Sequence, residues 1–162
     1  MILRTVVLAS GLSGALLAAQ FPAYSDQYIQ RLGGAVDALQ QVVADFDHSA
    51  ETQGLTRDDA LAQMRGSPFL EARRVDMSRT FKRHARLKAD LSALEGLGPF
   101  MRAYHFGRLT DPEIARRALG TFQPSLPLSF VSALFAIAGF LLTATAVKAL
   151  AALLRGRRPM PA

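Results

Sequence analysis

Apolar residues follow three different rhythms along this chain. From Leu128 to Val147 no charge interrupts the sequence, and ten Leu, Ile, Phe and Val residues stand in that stretch. At about −0.3 to −0.6 kcal/mol each, they favour membrane insertion by on the order of 3 to 6 kcal/mol. Pro127 to Leu154 therefore reads as a membrane span. Lys148 is placed to snorkel toward headgroups, and Arg155, Gly156, Arg157 and Arg158 mark the side that stays cytoplasmic.

The first 21 residues carry one charge, Arg4, followed by an uncharged run through Gln20. With Gln20 to Tyr24 as its flank, Ile2 to Ala19 is about long enough to span, and Phe21 and Tyr24 stand where an aromatic belt would sit. The run from Thr5 to Ala19 also has the length of a signal-peptide core, with Leu17, Ala18 and Ala19 as a small-residue cleavage site. An uncleaved span is the preferred reading and a cleaved signal the alternative. Both export the central part of the chain.

The second rhythm is helical. Tyr24, Tyr28, Leu32, Val36, Leu39, Val43, Phe46 and Ala50 step by three or four, which predicts an amphipathic helix ending near Gly54. Gly33 and Gly34 inside it suggest a kink or a close helix contact. The third rhythm is heptad-like. Ser67 and Pro68 open a helix as N-cap and N1 proline, and Leu70, Met77, His84 and Leu91 then recur every seven residues. Thr80, Leu87 and Leu94 fill the second seam position, and Gly96, Gly98 and Pro99 stop the helix. Two helices of about 29 residues, roughly 43 Å each, predict an antiparallel hairpin.

Shorter elements complete the chain. Thr56 with Asp59 is a capping box opening a helix over Leu55 to Met64. Thr110, Asp111, Pro112 and Glu113 open another that runs to about Phe122 with Ile114, Ala118 and Phe122 on one face. Between them, residues 99–109 interleave Phe100, Tyr104 and Phe106 with Arg102, His105 and Arg108. This mixture suits the headgroup zone to which the chain is returning. The fold expected is all-α, with two transmembrane helices flanking a periplasmic antiparallel helical hairpin of coiled-coil type. Residues 1–21 form the first span, 22–126 a periplasmic domain, 127–154 the second span and 155–162 a basic cytoplasmic tail of a bacterial inner-membrane protein.

Charge changes the picture in one respect. The net charge of +6 suggests a nucleic-acid partner until Arg4, Lys148, Arg155, Arg157 and Arg158 are set aside; 14 basic residues then remain against all 13 acidic ones. Excess charge at the two ends is what the positive-inside rule produces, so no nucleic-acid partner is expected. Within the middle, the first helix is acidic and the second basic. The hairpin should set Asp45, Asp47 and Glu51 beside Arg73 and Arg74, and Asp37 near Lys82 or Arg83. Such exposed pairs contribute about 0 to 1 kcal/mol each, enough to bias orientation but not to hold the helices. The face formed by Arg73, Arg74, Arg79, Lys82, Arg83 and Arg86 is a possible contact for a protein partner or anionic lipid.

Candidate chemistry is sparse. There is no cysteine, His48, His84 and His105 lack metal-ligand spacing, and Asp58 and Asp59 are better used in a first helical turn than as an acid/base pair. Ser10, Ser129 and Ser132 have no nearby base in sequence, and no phosphate-binding glycine loop is present. No enzyme activity, cofactor or metal is expected. Ser10, Gly14 and Ala18 in the first span, and Gly139, Thr143 and Ala146 or Val147 in the second, form small-residue faces for helix packing, within a chain or between copies.

Residues 20–39 (QFPAYSDQYIQRLGGAVDAL), FLEARR at 69–74 and the C-terminal span resemble a family of small proteobacterial inner-membrane proteins known as a domain of unknown function. That resemblance implies no activity and carries no functional residues. The expected role is a non-enzymatic scaffold or accessory subunit that contacts another envelope component through its hairpin. The alternative is a lipid- or small-ligand-binding module, with the hairpin and residues 99–122 forming an apolar groove.

Overall fold

A computed structural model describes residues 2–109, 111–124 and 129–156, with residues 155 and 156 described by backbone alone. Its regular elements are all helical: α1 (Ile2–Ala19), α2 (Phe21–Glu51), α3 (Arg57–Gln63), α4 (Pro68–Leu94), α5 (Pro99–Tyr104), a 3₁₀ turn (Phe106–Arg108), α6 (Pro112–Gly120) and α7 (Phe130–Gly156). Two helices are long and apolar enough to cross a membrane, one beginning at Ile2 and one spanning Phe130–Leu154.

α1 and α2 form nearly one rod. Gln20, at φ −80° and ψ −15°, stays in the helical region, and the Tyr24 amide bonds back to the Gln20 carbonyl at 3.0 Å. Pro22 sits in the first turn of α2, where its missing N–H costs least. The amphipathic helix thus starts at Phe21. It continues unbroken through Gly33 and Gly34, and a Cβ at either would meet nothing within 4 Å, so no helix approaches closely there. Gly54 takes φ +69° and Gly66 φ +94°, left-handed turns that let the chain leave α2 and enter α4.

Local signals act as the sequence predicts at α3 and α4. Thr56 accepts from the Asp59 amide and Ser67 from the Leu70 amide, at 3.2 Å each. α6 is capped by Asp111, whose carboxylate accepts from the amides of Glu113 and Ile114. Thr110, the expected cap, lies outside the described residues. So do Pro127 and Leu128 of the expected second span and Arg157 and Arg158 of the tail. α7 starts at Phe130, after Ser129, whose Oγ accepts from the Ser132 amide at 3.1 Å.

α2 and α4 pack in opposite senses along their lengths. Near the far end Phe46 meets Phe81 edge to face at 5.2 Å, with the Arg57 guanidinium 4.7 Å above the Phe81 ring. Near the other end Tyr28, Leu32 and Val36 share a core with Leu87, Leu94, Leu109 and Ile114. α6 closes this core, burying Ile114 and Ala118. The eight predicted positions of α2 do face inward, all buried or half-buried. On α4 the seam is Met77, His84, Leu87 and Leu94; Leu70 is exposed, since it stands at the first turn, beyond the reach of α2.

The expected charge pairing across the hairpin is not the one formed. Asp47 pairs with Arg57 of α3 at 2.5 Å instead of Arg73 or Arg74. Arg83 pairs with Glu113 of α6 at 2.6 Å instead of Asp37. The intervening short helices present cations and carboxylates to sites that a two-helix picture leaves to α2 and α4 alone.

Candidate functional site

Two surfaces hold the residues singled out by the sequence. The first is the seam between α1 and α7, the most extensive helix contact in the molecule. A Cβ built on Gly139 would collide with the Gly14 carbonyl oxygen and lie 2.5 Å from the Ala18 Cβ; one built on Gly14 would strike Thr143. Gly14, Ala18, Gly139 and Thr143 therefore do meet, backbone to backbone, as small residues in apolar helices allow. The Thr143 hydroxyl is satisfied within its own helix by the Gly139 carbonyl at 2.7 Å. Ser10 is half-buried, as Ala18 is, and bonds the Val7 carbonyl, while Val7, Gly11 and Gly14 are buried. Gly11, which faces the Phe140 ring, was legible only as a glycine in a span. These small faces meet within the chain.

The outer sides of the same helices are apolar and open. Leu12, Leu16 and Leu17 on α1 and Ile137, Leu141 and Leu142 on α7 are all more than half exposed. The end of this helix pair carries an aromatic cluster: Phe100 of α5 stacks on Phe135 at 5.1 Å and 8° between planes, and Phe21 lies 5.3 Å from Phe135 and 6.4 Å from Phe106. Arg102 beside them pairs with Asp26, and Arg108 with Asp90 at 2.8 Å. The segment 99–109 is thereby fastened to both long helices.

The second surface is the basic ridge of α4. Its six cations divide. Arg83 and Arg86 converge on α6, where the Asp111 carboxylate accepts from Arg86 at 2.8 Å and lies 3.5 Å from Arg83. Asp111 is a hub: its side chain is nearly buried, it caps α6, and its amide donates to the Tyr28 hydroxyl at 3.0 Å. Burial pushes the Tyr28 phenol above its ordinary value, so it stays protonated. No sequence signal other than the local cap pointed to this convergence. Among the described residues Arg79 pairs with Asp76 of its own helix, an exposed contact at 3.7 Å. Arg79 and Lys82 flank Arg83 and Arg86 around a shallow groove, and on the other side they flank Arg74, Val75 and Ser78.

His84 is buried in the α2/α4 seam, while His48 and His105 lie elsewhere and more open. Among the described residues no three His, Asp or Glu side chains gather where a metal could be held. Asp58 and Asp59 occupy the first turn of α3, where the helix dipole favours them.

Between α2, α4 and residues 99–122 the interior is filled by Leu109, Ile114 and Ala118, each 3% exposed or less, and a groove of about 280 Å³ lies over it, lined by Arg31, Ala35, Ala38, Arg83, Glu113 and Arg117. A wider, apolar crevice of about 630 Å³ lies beside the α1/α2 junction, walled by Leu16, Leu17, Phe21 and Tyr24 on one side and Leu119 and Phe122 on the other.

These features define an all-helical protein in which a closely packed apolar helix pair supports a polar helical hairpin. The chain belongs to the family described as Protein of unknown function (DUF2937), whose profile matches residues 2–159. No curated protein and no solved structure matches it.

Proposed function

We propose that this is a two-span integral protein of a bacterial inner membrane, with both termini cytoplasmic and residues 22–126 in the periplasm, serving as a non-enzymatic scaffold or accessory subunit. The observation that carries the membrane reading is the burial of α1 and α7. Only 22% and 17% of their most apolar windows are buried, whereas a core helix of a soluble protein would be mostly covered. The orientation rests on Arg4 and the Arg155 to Arg158 tail.

The docking surface in this reading is the outer part of the α4 ridge, Arg73, Arg74, Arg79 and Lys82, offered to an acidic partner protein. It is supported by the way Asp47, Asp111 and Glu113 are committed to Arg57, Arg83 and Arg86 rather than to these four cations. The non-enzymatic part rests on the sequence, which pairs no nucleophile with a base.

A reporter fused after Gly54 tests the topology: activity of a periplasmic reporter is expected, and activity of a cytoplasmic one overturns the reading. For the docking surface, a photocrosslinker at the half-exposed Val75 should capture one acidic envelope protein in living cells. Arg79→Glu with Lys82→Glu should abolish that adduct, and an adduct indifferent to both reversals rejects the ridge as the contact. A lipid-binding role is the second reading, favoured by the crevice at the α1/α2 junction.

A further inference from the structure

We propose that the crevice beside the α1/α2 junction is a binding site for one bilayer phospholipid, its acyl chain against Leu16, Leu17, Phe21, Leu119 and Phe122 and its phosphate met by Arg31. The inference deepens the lipid-binding reading above and rests on α1 lying in the membrane. Three observations converge on it.

The crevice has the size and chemistry of a ligand site rather than of a packing defect. Its volume of about 630 Å³ lies within the range of small-molecule sites, about 300–1,000 Å³, and its walls are Leu, Phe and Tyr with Gln20 as a polar member. Its level along the chain is fixed by sequence. α1 is uncharged from Thr5 to Gln20, and Phe21 and Tyr24 come next with interfacial aromatic character. A headgroup boundary falls at that point, so acyl chains lie along Leu16 and Leu17 and phosphates at the level of the next turns of α2. The crevice is also continuous with the lipid-facing side of α1, where Leu12, Leu16 and Leu17 are 60%, 63% and 76% exposed. A chain from the bilayer enters without crossing polar surface.

The rim supplies the charge. Arg31 stands seven residues beyond Tyr24, about 10 Å along α2, and donates to the Thr121 hydroxyl at 2.5 Å, immediately before Phe122 of the crevice wall. Among the described residues no carboxylate forms an ion pair with Arg31, in contrast to Arg57, Arg83, Arg86, Arg102, Arg108 and Arg117. A guanidinium held by the Thr121 hydroxyl, one residue before the crevice wall, and without an ion-paired carboxylate among the described residues, is suited to meet the phosphate diester of a lipid whose acyl tail lies in the crevice.

The test uses the full chain, extracted from membranes in a mild detergent and examined by native mass spectrometry after reconstitution in, and re-extraction from, vesicles of phosphatidylethanolamine and phosphatidylglycerol. One retained phospholipid per chain is expected. Arg31→Gln should lower the lipid-bound fraction about fivefold, equivalent to about 1 kcal/mol for one interfacial cation. Leu119→Gln, at an exposed position that leaves the core intact, should also lower it, while Leu142→Gln on the outer face of α7 should not. A photoreactive residue at position 119 should form an adduct with phospholipid. Retention that ignores Arg31→Gln and Leu119→Gln overturns the site, as does an adduct only with the chain's own peptides. A chain recovered in the soluble fraction instead sinks the membrane reading itself, which separates the two failures.

Discussion

The pair α1/α7 and the pair α2/α4 are both helical hairpins in outline, and they are built on opposite rules. α1 and α7 touch through glycine, alanine and threonine and leave their leucines outside. α2 and α4 touch through Tyr28, Leu32, Leu87 and Leu94 and leave their charges outside. With α1 and α7 in a bilayer, as proposed above, water makes the difference. Where the surroundings are aqueous, large apolar side chains gain about 25 cal/mol per Å² by turning inward. Where the surroundings are themselves apolar that gain vanishes, and close backbone approach through small residues is what remains to hold helices together. The two pairs share the α1/α2 rod, so one continuous helix obeys both rules, with Gln20 at the changeover.

The comparison can be broken most forcefully at the cores. Leu87 is fully buried, and Leu87→Ala should lower unfolding free energy by about 2–5 kcal/mol, whereas Leu141→Ala on the outer face of α7 should change it by less than about 0.5 kcal/mol. Denaturant titration of both variants in the same micelles measures this, and equal losses would mean that α7 is packed like α4. Glycine gives the second contrast, with opposite signs. Gly139→Ala forces the α1 and α7 backbones apart and should cost about 1–3 kcal/mol; Gly34→Ala meets nothing and should gain about 0.5–1 kcal/mol. Thermal melts of the pair sharpen the claim that close approach belongs to the apolar seam alone.

Two smaller effects probe the polar hairpin. Asp111→Ala removes the α6 cap, a loss of about 0.5–2 kcal/mol, together with the carboxylate between Arg83 and Arg86, while Asp111→Asn, which still accepts from the Glu113 and Ile114 amides, should recover the part due to the cap. The melting temperatures of wild type and both variants decide this. At the far end, the hydrogen bond from Arg57 holds the Asp47 carboxyl below its ordinary value of about 4. A depressed folded-state value means that the stabilisation is fully present above pH of about 4 and is lost as pH falls through the folded value. Asp47→Asn should therefore cost at most about 1 kcal/mol at pH 7 and should flatten the stability profile below pH 4, readable by acid titration of the far-ultraviolet circular dichroism.

Legibility differed with the range of the interaction. The caps at Thr56 and Ser67 were readable because an N-cap needs only residues three positions apart. The inward face of α2 was readable for the same reason, period by period. Gly11 was readable only as a glycine in a span, because the rotation of α1 against α7 that sets it on Phe140 is not encoded in spacing. Leu70 matched the heptad but stands past the region that α2 covers. The partners of Asp47, Arg83 and Arg86 were not readable, since α3 and α6 reach them from the side and no periodicity in α2 or α4 encodes that.

By itself the sequence determined what depends on solvent and on neighbours along the chain: two uncharged apolar stretches, the charge at their ends, the amphipathic faces and the helix starts. Each is an average over many residues or a contact within one turn, and neither needs a partner from afar. Only the tertiary structure decided how those faces are turned against one another. It put Gly11 against Phe140, drew Asp111 between Tyr28 and two arginines, and set the Arg31 guanidinium on the Thr121 hydroxyl. Such outcomes depend on helix rotation and on which third element docks. A shift of one residue turns a side chain by about 100° around the helix and changes its partner, while the pattern of apolar and polar positions stays the same.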